Sequence, residues 1–262
     1  VRATKWGIPT LIEAPDPEES AKLCRKLGFS FVELNMNLPE YQHIDVPLLR
    51  SVMDSYGVYF TIHLDENMDM CGFNSRVADA YMQTLLDAIR SARELNVPVL
   101  NMHLSKGVYF TLPHKKTYLY DMNREHFLGR VRETIAMCEE AAGGEVTICI
   151  ENTGIYALSF IQEAVELFLQ SPLFGLTFDI GHDHSAEGVD KPLLLKHKDR
   201  LRHFHIHDAL GRKNHMVLGT GELDLPWYIA LAEQNSCRAV LEVKTAQALR
   251  ESAEWLRERQ FI

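Results

Sequence analysis

No stretch of about 18 uncharged apolar residues occurs in the 262-residue chain, so no transmembrane helix is expected. Cysteine is sparse. Cys24, Cys71, Cys138, Cys149 and Cys237 are odd in number and include no CxxC, which excludes a disulfide framework and fits buried, reduced thiols. Basic residues are in the minority, 27 Lys and Arg against 36 Asp and Glu. The net charge of −9 argues against a surface-wide grip on nucleic acid, though not against a local basic patch. Val1-Arg2-Ala3-Thr4 carries no apolar segment of the signal-peptide kind, and together with the scattered thiols this makes cytoplasm the expected location. Low-complexity tracts and mid-chain shifts in composition are also missing. What is present is an ordinary globular balance, 46% hydrophobic and 24% charged, which excludes intrinsic disorder.

Short apolar runs alternate with amphipathic stretches along the whole chain. Strands are predicted at Lys5–Pro9, Phe29–Asn35, Val58–Leu64, Val97–Leu104, Val146–Thr153, Phe174–His182, Leu201–Asp208 and Arg238–Thr245. Helices are predicted at Asp16–Leu27, Val46–Tyr56, Ser75–Leu95, Arg124–Ala142, Ser159–Gln170, Pro192–Arg200, Leu225–Asn235 and Ala246–Arg259. Asp16-Pro17-Glu18-Glu19 reads as an N-cap, a proline at the first helical position and acids against the dipole. Eight strand signals in 262 residues give about 33 residues per unit, the size of a βα repeat. The reading is an α/β protein, a single (β/α)8 TIM barrel over residues 1–262. A doubly wound open sheet is the competitor, but no GxGxxG follows the first strand signal.

Alternate residues of a barrel strand point inward, and the apolar residues give the phase. In Val146-Thr147-Ile148-Cys149-Ile150-Glu151 the branched aliphatics share one face, so Glu151 points inward at the strand's C-terminal end. The same parity puts Asp179, Glu242, His63 and His103 inside, together with three histidines, His203, His205 and His207. Six strands thus aim a His, Asp or Glu into the end of the barrel where active sites lie. A lone strand-end His is more often hydrogen-bonded or solvated than a ligand. Glu151 alone could cap a turn, and Asp179 alone could N-cap a helix. Convergence changes the reading, because buried ionisable groups need pairing or a cation. A divalent metal supplies it. Two carboxylates with imidazoles suit Zn, Mn, Co or Fe, whereas an all-oxygen cage suits Mg; Zn or Mn is preferred. His43, His114, His126, His184 and His197 are expected at the surface.

The segments Ile150-Glu151-Asn152, Phe178-Asp179-Ile180-Gly181-His182, His203-Phe204-His205-Ile206-His207-Asp208, Leu218-Gly219-Thr220-Gly221-Glu222-Leu223-Asp224 and Leu241-Glu242-Val243 resemble, in order, the xylose-isomerase-like TIM barrels. That superfamily holds sugar and sugar-phosphate isomerases and epimerases and the endonuclease IV type of abasic-site nuclease. The resemblance implies a metal quartet of Glu151, Asp179, His205 and Glu242, with His207 as the fallback for His205 because parity alone does not separate them. His205 is preferred because the family's ligand is followed three residues later by an acid, here Asp208. It also implies that Glu151 and Glu242 are catalytic, one removing the proton beside a carbonyl and the other returning it. His182, Arg212, His63 and His103 become substrate-binding candidates. The nuclease branch's trinuclear zinc site implies a second or third metal on His63, His103, His182 and His215. Its aspartate two residues before His215 is Lys213 in this chain, which weakens the third position.

The leading functional reading is a metal-dependent isomerase or epimerase of a small sugar, sugar phosphate, keto-acid or polyol. A zinc phosphodiesterase acting on DNA, and a barrel that binds metal or ligand without turnover, are the alternatives. The implied partner is a small carbohydrate or keto-acid substrate, with a homo-oligomer left open; neither membrane nor nucleic acid is expected. Tyr109, Phe110, Tyr118 and Tyr120, after the fourth strand, suit either a lid over the substrate or a cover for the barrel or a dimer contact. Trp6 and Glu33 are read as facing the pocket.

Overall fold

The computed structural model describes residues 4–144 and 146–262. Eight parallel strands close into a barrel: Lys5–Pro9, Phe31–Asn35, Tyr59–His63, Val99–His103, Thr147–Glu151, Phe174–Asp179, Leu201–Ile206 and Arg238–Leu241. Each pairs with its sequence neighbours, and the first closes on the eighth through Lys5↔Arg238, Trp6↔Ala239 and Gly7↔Val240. This is the expected TIM barrel.

The first helix start follows the predicted capping chemistry, and the second uses the same device. Asp16 accepts from the backbone N–H groups of Glu18 and Glu19 at 2.8 and 3.0 Å, opening Pro17–Lys26. Asp45 does the same through Leu48 at 3.0 Å, and Gly57 ends that helix, Val46–Tyr56, at φ 62°. The major differences lie at the strands' C-terminal ends. The sixth strand stops at Asp179, because its carboxylate caps a short helix, Ile180–Ser185, through His182 N–H at 2.6 Å. The seventh runs into a hairpin, Asp208–Leu210 with Lys213–Met216, and the loop after the fourth carries another, Tyr109–Leu112 with Lys115–Tyr118.

Parity organises the core. Val32, Phe60, Ile62, Leu100, Met102, Ile148, Ile150, Leu176, Phe178, Phe204 and Ile206 face outward and are buried in one apolar cluster that includes residues of the surrounding helices. Each such side chain contributes about 1.5–3 kcal/mol by leaving water. Trp6 belongs to this outer layer, stacked 6.3 Å from Phe29, and not to the pocket as the sequence suggested. Its inward neighbour Gly7 has no room for a side chain, since a Cβ there would meet the Phe31 ring at 2.4 Å. Inside the barrel Phe31 and Tyr59 stack at 5.2 Å. Glu33, Thr61, Asn101 and Thr177 are also buried there, joined to one another and to the site residues by hydrogen bonds.

Among the described residues no helix is long and apolar enough to cross a membrane.

Candidate metal centre

Strand register brings the distant acids and histidines together. His103 pairs with Glu151, and Asp179 with His205, so each pair shares a face at the same level of the barrel. Glu242 follows the eighth strand, its N–H extending the ladder to Ile206 at 3.0 Å. The result centres on one atom. His205 Nδ1 stands 3.3 Å from Glu151 Oε2, 3.7 Å from Asp179 Oδ2 and 3.1 Å from Glu242 Oε2. His182 Nδ1 approaches from the side, 3.3 Å from Glu151 Oε1 and 3.4 Å from Asp179 Oδ2. His63 Nε2 and His103 Nε2 each lie 3.3 Å from Glu151 Oε2.

Hydrogen bonds to the far side of each ring decide which nitrogens are free. His205 Nε2 bonds Glu33 Oε1 at 2.7 Å, and His63 Nδ1 bonds the Leu64 carbonyl at 2.8 Å. Both acceptors require a ring N–H, leaving Nδ1 of His205 and Nε2 of His63 aimed at the carboxylates. His207 is different. Its Nδ1 accepts the His215 backbone N–H at 2.7 Å, so its proton sits on Nε2 and is donated to Asp179 at 3.1 Å. The geometry therefore separates two histidines that parity does not: His205 keeps Nδ1 without a hydrogen-bond partner, while both nitrogens of His207 are committed.

Four buried atoms of this cluster, His103 Nε2, His182 Nδ1, His205 Nδ1 and Glu242 Oε2, form no hydrogen bond. Buried polar atoms are almost always satisfied, and those left over need an explanation. Burial opposes ionisation of every acid here, yet His205 and His103 hold Glu151 well below the usual carboxylate range, and His207 and His182 do the same for Asp179. Glu242 is lowered too, chiefly by His205. Conversely, burial disfavours a charged His63 and His182, but Glu151 lifts the first to about 9 and Asp179 with Glu151 lifts the second to about 10. The carboxylates demand positive charge. A divalent cation held by Glu151, Asp179 and His205, with Glu242 Oε2 3.1 Å from the same His205 Nδ1, would supply it and would give His205 Nδ1 and Glu242 Oε2 a partner, so the residues present fit a divalent metal. His63, His103 and Glu151 form a neighbouring group with metal-binding spacing, as do His207, His215 and Glu242. His215, which burial depresses to about 4, also bonds the Glu242 carbonyl at 3.1 Å.

Other predicted residues separate. Arg212 is 88% exposed at the hairpin tip and faces Glu187 at 3.6 Å, outside the cluster. Lys213 is exposed on the same hairpin. His43, His114 and His126 are exposed as expected, whereas His184 and His197 are half-buried partners of Glu222 and Glu166. The loop aromatics divide: Tyr120 is core, its hydroxyl donating to Asp69 at 2.7 Å, while Tyr109 and Phe110 lie exposed on their hairpin. A cavity of about 440 Å³ opens beside His103, lined by Glu66, Asn67, Ser105, Lys106 and Thr153 among others. A groove of about 480 Å³ between Pro15–Pro17 and Tyr41–Leu49 contains no member of the cluster.

Sequence reasoning missed three supporting residues. Asn101 holds Glu151 through its amide and accepts from Thr177 at 2.5 Å. Asn152 clamps the Asp179 backbone at 2.8 and 2.9 Å. Lys244 reaches Glu242 Oε1 at 3.0 Å. Inward parity signals Asn101, and Asn152 lies in the family-like segment Ile150-Glu151-Asn152, but nothing local marks Lys244.

The sequence profile of the xylose isomerase-like TIM barrels matches residues 21–259. Among curated proteins no match to the sequence was found. Several solved structures share the fold. A D-tagatose 3-epimerase-like protein superposes with a TM-score of 0.79 at 20% identity, over 98% of this chain and 97% of its own. A 3-keto-D-glucoside 4-epimerase from E. coli gives 0.75 at 17%, over 97% and 99%. The D-allulose 3-epimerase from Methylomonas sp., solved with D-allulose, gives 0.70 at 17%, over 99% and 98%. The closed eight-stranded barrel and the profile match across most of its length agree: this chain belongs to the xylose isomerase-like TIM barrel family.

Proposed function

We propose that the protein is a divalent-metal-dependent epimerase or isomerase of a small sugar, sugar phosphate or keto-acid. One observation carries the reading: two glutamates from different strands, Glu151 and Glu242, converge with Asp179 on the unpaired Nδ1 of His205. Glu151, Asp179, His205 and Glu242 would hold the ion, Zn or Mn by their donor chemistry. When bound, the ion supplies Lewis-acid stabilisation of the charge that develops on the substrate oxygens. The chain's own residues supply the proton chemistry. Glu151, which ends the fifth strand, and Glu242, which follows the eighth, would flank a substrate carbon, one removing the proton beside the carbonyl and the other delivering one. Asn101 orients Glu151 by donating to Oε2, the oxygen that faces His205, and Lys244 holds Oε1 of Glu242, leaving its Oε2 toward His205. His182, half-buried beside Glu151, would donate to a substrate oxygen. The epimerase neighbours support this choice of chemistry, and the cavity beside His103 is of the size that small ligands occupy. Arg212 would reach substrate only by leaving Glu187.

A second reading, a zinc phosphodiesterase with two ions, is favoured by the free Nε2 of His63 facing Glu151 beside His103. The net charge of −9 and the lysine at position 213 weigh against it. The discriminating experiment incubates Mn- or Zn-loaded protein with a panel of ketohexoses, ketopentoses and their phosphates in D2O. Deuterium appearing on the carbon beside the carbonyl supports the proposal. No exchange with any member, combined with cleavage of an abasic-site duplex, supports the phosphodiesterase instead.

A further inference from the structure

Glu33 lies on the second strand, 3% exposed, and its two oxygens are fully engaged. Oε1 accepts from His205 Nε2 at 2.7 Å. Oε2 accepts from His203 Nε2 at 2.8 Å and from the Thr61 hydroxyl at 2.8 Å. His203 and His205 are alternate residues of the seventh strand, so both rings reach the barrel interior where one carboxylate can bridge them. An ionised carboxylate only accepts, hence both rings must carry a proton on Nε2. For His205 this leaves Nδ1 as the lone-pair atom, and Nδ1 is the atom that Glu151, Asp179 and Glu242 surround.

We propose that Glu33 is a positioning residue for the metal centre: it selects the tautomer and the aim of His205, so that Nδ1 is the ligand atom. The proposal rests on the reading above that His205 is a ligand. Glu33 does more than neutralise a buried charge. Its hydrogen bond fixes ring rotation as well as tautomer and makes the ligand nitrogen more basic, the role outer carboxylates play for metal-bound histidines. Thr61 and His203 hold Glu33 itself from the other side, and Thr61 Oγ1 bonds the oxygen that His205 does not use. Thr61→Val therefore removes a bond to the same carboxylate without touching the contact to His205.

The test uses the full chain with Zn2+ as probe. Nitrogen-15 NMR of the histidine rings in the zinc-loaded wild type is expected to show His205 with metal on Nδ1 and a proton on Nε2. A ring bound through Nε2 overturns the proposal and needs no variant. Equilibrium dialysis then compares variants: Glu33→Gln, which replaces one accepting oxygen by a donor, should weaken Zn2+ binding about 10–100-fold, with the His205 ring signals altered and the circular dichroism retained. Thr61→Val should weaken binding by less than Glu33→Gln does. Equal Zn2+ affinity in Glu33→Gln and wild type, with unchanged His205 signals, refutes the positioning role while leaving the metal site standing. A wild type that binds no Zn2+ refutes both.

Discussion

His205 Nδ1 and Glu242 Oε2 face each other at 3.1 Å, both buried, and neither forms a hydrogen bond. One is supplied by the seventh strand and the other follows the eighth, so the barrel itself holds two complementary atoms in contact without satisfying either. A lone unsatisfied pair of this kind costs a few kcal/mol in a dry interior. The arrangement is explained if a cation binds between them and the two remaining acids.

The paired-base reading predicts the behaviour of the isosteric amides. Glu151→Gln and Glu242→Gln each keep the shape and remove the basic oxygen, so each should lower turnover by at least about 100-fold while the barrel stays folded. Solvent-deuterium exchange and circular dichroism on the same samples check this. Near-normal exchange in both variants contradicts the assignment.

Gly181 is confined by the ring that steadies Asp179. A Cβ at this position would lie 2.0 Å from His207 Cε1, and His207 donates to both oxygens of Asp179 at 3.1 and 3.2 Å. Gly181→Ala should therefore destabilise the fold by about 1–3 kcal/mol and weaken metal binding as Asp179 loses its partner. Thermal unfolding with and without added Zn2+ separates the two effects, and an unaltered midpoint in both conditions argues against the crowding described.

Lys213 stands two residues before His215, where the resemblance to the nuclease branch implies an aspartate ligand. If that one exchange removed a third ion, Lys213→Asp should raise the stoichiometry by about one ion, as measured by elemental analysis. An unchanged count would mean that the hairpin geometry differs as well.

Away from the centre, Glu166 ties its helix, Ser159–Phe168, to Lys196 and His197 at 2.5 and 2.9 Å. Burial is the largest single effect and opposes its charge, but Lys196 and His197 together outweigh it and lower its pKa below the ordinary carboxylate value. A depressed acid stabilises the fold above its unfolded pKa and loses that contribution as pH falls through the folded one. Glu166→Gln should thus cost less than about 1 kcal/mol at neutral pH, given the exposure of the pair. The difference from wild type should shrink as the pH is taken below about 4. Denaturant melts at the two pH values check both the size and the sign.

Much of this was legible in the sequence because two simple periodicities carry it. Alternation within the strands located Glu151, Asp179, His205 and Glu242 on the inner face, and the βα repeat located that face at one end of a barrel. Register, hairpins and ring orientation were not legible, since they depend on contacts between residues far apart. His205 and His207 have the same parity. Only the His215 N–H on one ring and the Glu33 carboxylate on the other distinguish them. Trp6 shows the opposite failure: its indole suggested a pocket, but one residue of phase sends it under the helices against Phe29. Arg212 matched by local sequence, yet the turn at Gly211, φ 56°, carries it to the hairpin's exposed tip.

The most direct test of the central claim is the divalent metal content of wild type and His205→Ala after purification and dialysis against Zn2+ or Mn2+. The account predicts at least one ion per wild-type chain and a clear loss in the variant, with both proteins folded. A wild type that retains no ion, or a variant that holds as much as wild type, would contradict a metal centre built on Glu151, Asp179 and His205 with Glu242 beside them.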